Sequence, residues 1–120
     1  MNKTEIFAVD FDGTLCRNAY PNIGEPINEM IQWIKDLSRQ GHKIILWSCR
    51  EGMDLVNAIA WCADQGIFFD AVNDNLEEMK KYFNNNSRKI FANYYIDDRA
   101  LYPSAVQFIT ERDQYERARK

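Results

Sequence analysis

Residues 6–15 read Ile6-Phe7-Ala8-Val9-Asp10-Phe11-Asp12-Gly13-Thr14-Leu15, an apolar run that ends in two acids one residue apart and then a glycine. A short apolar run closed by a turn signal predicts a buried strand, over residues 5–10, with a tight turn at Gly13. Strands without polar alternation belong to parallel sheets covered on both faces, because a strand with one wet face alternates apolar and polar residues. The chain beyond the turn repeats the pattern. From Pro26 the apolar residues Ile27, Met30, Ile31, Ile34 and Leu37 recur at helical spacing, with Gly41 past the end. Residues 43–48, KIILWS, form a second apolar run too short for a helix.

Residues 54–64 carry Leu55, Val56, Ile59, Ala60 and Ala63 on one side and stop before Gly66, which predicts a second helix. Residues 67–72 predict a third strand. A short helix over 76–83, begun by Asp74 or Asn75, is broken by Asn84-Asn85-Asn86-Ser87. Residues 92–96 predict a fourth strand that ends in Asp97-Asp98, and 104–109 a fifth, with Thr110 and Asp113 as a capping box for a charged terminal helix. Strands alternating with helices predict an α/β fold: a three-layer, doubly wound, Rossmann-like parallel sheet of about five strands. With 120 residues, 46% of them apolar, one core and a single domain over 1–120 are expected.

Net charge is -3 and pI near 5.1, which leaves no broad basic field for a phosphate backbone and disfavours a nucleic-acid partner. The three cysteines, Cys16, Cys49 and Cys62, show no CxxC spacing, which argues against a zinc cluster or a disulfide framework. No stretch approaches the roughly 20 apolar residues of a membrane span. The expectation is a cytoplasmic protein with reduced thiols and no membrane contact.

In open parallel sheets the ligand lies beyond the carboxyl ends of the strands. The polar residues that end the apolar runs should therefore share one edge: Asp10 and Asp12, Ser48, and Asp97 with Asp98. Two carboxylates flanking an inward Phe11 can both face a cleft there. Such a cluster suits an octahedral Mg²⁺, which prefers oxygen ligands.

Asp10-Phe11-Asp12-Gly13-Thr14 resembles motif one, DxDx(T/V), of the haloacid dehalogenase-like superfamily. Ser48 resembles its motif two, Asp97-Asp98 after Tyr94-Tyr95-Ile96 its acidic motif four, and Lys89 its motif-three lysine, with Lys80 and Lys81 as competitors. The segments LWSCREG, FDAVNDN and YIDDR further resemble a bacterial and phage group of very small members, and YIDDR resembles the corresponding region of 5'(3')-deoxyribonucleotidases. The resemblance runs from about Ile6 to Arg99 and implies a Mg²⁺-dependent phosphomonoesterase acting on a small phosphorylated metabolite through an aspartyl-phosphate. It assigns Asp10 as nucleophile, Asp12 as acid and base, Ser48 and Lys89 as phosphoryl contacts, and Asp10, Asp12 (through its carbonyl), Asp97 and Asp98 as the metal ligands.

Neither gap between the motifs has room for the cap domain that many such enzymes carry, so an open site is expected, covered by a second copy if the protein is a homo-oligomer. Gly13, whose missing side chain admits a phosphate to the backbone, and Thr14 join Arg50, Asn73 and Arg99 as candidate substrate contacts. Each of the last three also fits a loop salt bridge or turn. A serine at a strand end commonly bonds a nearby backbone group, and paired lysines on a helix are usually a solvated face. Two other functions stay open: a polynucleotide end phosphatase, and a non-catalytic binding or scaffold domain that keeps the fold.

Overall fold

The computed structural model describes residues 3–105. β1 (Ile6–Val9) is buried along its whole length, as an unbroken apolar run requires. It pairs in parallel with β4 (Lys43–Leu46) on one side and β6 (Tyr94–Ile96) on the other, and β5 (Ala71–Val72) pairs in parallel with β4. The order across this four-stranded sheet is β5-β4-β1-β6. Register aligns the ends: Val9 lies opposite both Leu46 and Ile96, and Leu46 opposite Val72. All four strands thus stop level with one another.

Side chains of β1 alternate between two apolar clusters, as the two-residue period of a strand dictates. Phe7 and Val9 join Ile44 and Leu46 against α1 (Asn28–Arg39), through Ile31, Ile34 and Leu37, and against α2 (Gly52–Asp64), through Ala58 and Cys62. Ile6 and Ala8 join Ile45, Leu76, Ile90 and Ala92, with Met79 of α3 (Glu77–Phe83) packed against them. The chain is therefore a mixed α/β protein whose parallel sheet is flanked by helices. Among the described residues no helix is long and apolar enough to cross a membrane.

Several boundaries differ from the sequence reading. The stretch after Leu15, for which the apolar pattern predicts no element, forms an antiparallel hairpin of β2 (Cys16–Ala19) and β3 (Asn22–Pro26). Its strands are mostly exposed and show no alternating apolar face, so no periodic signal marks them. Gly24 is required there, since a Cβ would collide with the Arg17 carbonyl. Of the expected strand over 67–72 only Ala71–Val72 joins the ladder; Asp70 leads in by exchanging bonds with Ile44, its carboxylate accepting from the Ile44 N–H at 2.8 Å.

The cap of α3 is Leu76, with no side-chain bond, rather than Asp74 or Asn75. Asn75 is buried and spends its amide on Asn86, Ser87 and Phe91 instead. The fifth strand over 104–109 and the terminal helix fall largely outside the described residues, although Pro103–Ala105 forms one 3-10 turn. The described parallel sheet has four strands.

Ile44, fully buried between β1 and β5, tests the core. Urea unfolding of Ile44→Ala should show a loss of about 2–5 kcal/mol from transfer and cavity terms, whereas Met53→Ala, 68% exposed, should change stability by less than about 0.5 kcal/mol.

Candidate active site

Because the strands end level, the residues that follow them emerge at one edge. The Asp10 N–H donates to the Ile96 carbonyl at 2.9 Å, the Trp47 N–H to Val9 at 2.9 Å and the Asn73 N–H to Leu46 at 2.7 Å, so the ladder continues one residue past β1, β4 and β5. A cleft of about 470 Å³ opens at this edge, lined by Asp10, Asp12, Ser48, Cys49, Arg50, Asp97, Asp98 and Arg99 together with Asn18 and Tyr20 of the hairpin. Carboxylate oxygens of Asp10, Asp97 and Asp98 lie within 4.8 Å of one another.

That crowding has an electrostatic consequence. Burial, followed by the negative charges of Asp97 and Asp98, pushes the Asp10 carboxyl up from 3.8 to about 6, against the opposing pull of the Phe11 backbone bond. A divalent cation among the three would reverse the effect by favouring the charged form. The donor set fits a hard cation, since all three groups are oxygen ligands.

The turn between Asp12 and the hairpin packs behind the carboxylates, and neither Gly13 nor Thr14, both candidate substrate contacts, lines the cleft. Gly13 has φ +86°, and a Cβ there would collide with the Asp98 carboxylate, so only glycine lets Asp98 lie against this turn. Thr14 is buried, and its hydroxyl donates to Asp10 Oδ2 at 3.3 Å. Its place is behind the carboxylate, orienting it.

A solved structure of a conserved protein coded by a locus from Bacteroides thetaiotaomicron is similar to this chain, with 39% identity, a TM-score of 0.73, and coverage of 92% of this chain and 93% of that one. This chain belongs to that protein's family. No protein-family model matches it, and no curated protein does.

In this family member Arg50 plays a part that the sequence left open between substrate contact and salt bridge. The side chain is 1% exposed. Its Nε and Nη2 each donate to one Asp12 oxygen at 2.8 Å, a bidentate pair, while Nη1 and Nη2 also donate to the carbonyls of Pro21 at 3.1 Å and Asn22 at 2.9 Å. The guanidinium lies 5.1 Å from the centroids of both Phe11 and Tyr20. Its fork is thus spent on Asp12 and on tying the hairpin down, which leaves little of it for a substrate.

Asn73, in the left-handed region at φ 51°, accepts the Ser48 N–H on its side-chain oxygen at 2.8 Å and so positions Ser48; it does not line the cleft. The Ser48 hydroxyl lines the cleft and accepts the Arg50 N–H at 3.1 Å. Arg99 lines it too, its backbone N–H donating to Asp97 at 2.9 Å.

Lys89 is not brought to the carboxylates. It lines a separate hollow with Phe91 and Tyr95, its ammonium 5.3 Å from the Tyr95 ring centroid. Ile90 and Ala92 are buried in the second apolar cluster, and in extended chain the alternate residues Lys89 and Phe91 must then face away. Lys80 is held by Asp74 and Glu77, both at 2.9 Å, and Lys81 is exposed on α3. None of the three lysines lines the cleft. Tyr20 and Asn18 went unnoticed in the sequence, where an aromatic residue before Pro21 was the only available cue to a turn at the cleft.

Arg50→Met, which strands the Asp12 charge, should lower stability by about 3 kcal/mol in urea unfolding, and Arg50→Lys should recover only part of it because an ammonium lacks the fork. The raised Asp10 carboxyl makes the metal-free folded chain hold a proton that the unfolded chain releases between pH 3.8 and about 6. Its contribution to stability is therefore full below that window and lost as pH rises through it. Thermal melts from pH 4 to 7 should show this fall in the wild type relative to Asp10→Asn.

Proposed function

We propose that this protein is a capless Mg²⁺-dependent phosphohydrolase of the haloacid dehalogenase-like superfamily, with a three-layer doubly wound core, acting on a small phosphorylated metabolite. The observation that carries this reading is the convergence of Asp10, Asp97 and Asp98, with oxygens within 4.8 Å, at the carboxyl edge of a parallel sheet. Asp12, two residues beyond Asp10, lines the same cleft.

In this reading an Asp10 oxygen attacks phosphorus, the bond to the leaving oxygen breaks, and Asp12 gives that oxygen its proton. Water then attacks the aspartyl-phosphate while Asp12 takes up a proton, the bond to Asp10 breaks, and orthophosphate leaves. Thr14 holds Asp10 in line from behind. Asp10, the Asp12 carbonyl and Asp97, supported by Asp98, would hold Mg²⁺. When bound there, Mg²⁺ would offset charge on the phosphoryl oxygens. Arg99 and the Ser48 hydroxyl supply further donors in place of a lysine.

One observation favours a second reading. Both Asp12 oxygens are engaged by Arg50, so carrying a proton requires Asp12 to release one of these bonds. A domain that binds a divalent cation and a phosphate without turning it over would keep that pair closed.

Hydrolysis of an aryl phosphate separates the two. Turnover should require Mg²⁺, vanish with chelator, and fall roughly 10³-fold or more in Asp10→Asn. Intact mass of the wild type during turnover should show a phosphoryl adduct that is missing from the variant. Failure of the wild type to hydrolyse any member of a phosphomonoester panel in Mg²⁺ would leave the binding domain as the better account.

A further inference from the structure

Tyr20 stands at the tip of the β2–β3 hairpin and lines the cleft, yet 59% of its surface is exposed. Exposed tyrosines on surface turns usually have no fixed orientation, whereas this one is held from several sides. Its backbone N–H donates to Asn18 Oδ1 at 3.3 Å, its hydroxyl donates to Asp54 Oδ2 at 3.4 Å, and the Arg50 guanidinium sits over the ring at 5.1 Å. Arg50 is itself clamped between this ring and Phe11 and bonded to the carbonyls of Pro21 and Asn22. One face of the ring is thus occupied, while the residue borders the cleft and keeps much of its surface open.

The polar groups around the ring are largely committed. Asn18 Oδ1 accepts from Tyr20, Ser48 Oγ accepts from Arg50, and both Asp12 oxygens accept from the guanidinium. A polyol leaving group needs its hydroxyls met by side-chain donors and acceptors. Among the described lining residues, the Asn18 amide nitrogen, the Ser48 hydroxyl proton, the carboxylate cluster and Arg99 remain, and the proposed chemistry already uses the last three on the phosphoryl group and its cation. A flat aromatic group needs only a ring already in place, and ordering costs little when the platform is pre-set. The volume of about 470 Å³ suits a ligand of nucleotide size.

We propose that Tyr20 is a stacking platform for the leaving group, which makes the substrate a phosphomonoester whose leaving alcohol carries a flat aromatic ring, such as a nucleoside. Arg50 acts through Tyr20 as a positioning residue. The proposal rests on the phosphohydrolase reading for its chemistry, though its recognition step stands on the hairpin geometry.

The test compares adenosine 5'-monophosphate with glucose 6-phosphate in Mg²⁺, using wild type, Tyr20→Phe and Tyr20→Leu. Wild type should prefer the nucleotide, Tyr20→Leu should lower the ratio of kcat/KM values by roughly tenfold or more, mainly through KM for the nucleotide, and Tyr20→Phe should retain it. An unchanged ratio in Tyr20→Leu, including an equal loss on both substrates, overturns the proposal. If neither compound is hydrolysed by wild type, the phosphohydrolase reading fails by itself, and calorimetric titration with adenosine 5'-monophosphate decides recognition. Binding by wild type and Tyr20→Phe that weakens roughly tenfold in Tyr20→Leu supports the platform; no binding by wild type, or equal affinity in all three, overturns it.

Discussion

The level termination of four parallel strands is the constraint from which the site follows. β1 is covered on both faces, so every residue from Ile6 to Val9 must be apolar, and Asp10 is the first position at which burial no longer forbids a charge. Because Val9 is in register with Ile96, the chain after β6 turns polar at the same height, and the chain after β4, in register through Leu46, does so one residue later at Ser48. The bond from the Asp10 N–H to the Ile96 carbonyl then holds the first acid beside the acids that follow β6. The three carboxylates meet because the ladder leaves them no other place.

Gathering like charges at a half-buried edge is unfavourable, and the structure offsets it in distinct ways. Asp12 is neutralised by a buried bidentate arginine. Asp97 accepts a backbone N–H from Arg99, and Asp10 moves its titration upward to about 6. What is left uncompensated among Asp10, Asp97 and Asp98 is an attraction for a cation, which the proposed chemistry would use. Arg50 serves the hairpin as well, because the same guanidinium that pairs with Asp12 donates to the carbonyls of Pro21 and Asn22. The wall carrying Tyr20 and the acid beside the proposed nucleophile are therefore mechanically one unit.

Legibility in the sequence followed burial. The cores of β1 and β4, the helices α1 and α2, and the common edge of Asp10, Ser48 and Asp97 were all readable, because strands covered on two faces must be continuous apolar runs and amphipathic helices must repeat every three or four residues. The hairpin was not, since strands with little buried surface carry no pattern to read. Lys89 had the right residue type in a region of the right order, but its direction depends on the inward turn of Ile90 and Ala92, which belongs to the packing of the second cluster.

By itself the sequence determined the α/β class, the order of the parallel strands and their helices, and the acids that would end the strands, for these depend on local runs of apolar residues that burial makes compulsory. Tertiary structure alone decided that Arg50 belongs to Asp12, 38 residues away, that Thr14 and Asn73 orient other groups, and that Tyr20 borders the cleft. A partner at such separation is set by where two chain segments are brought together in space, and no local periodicity carries that information.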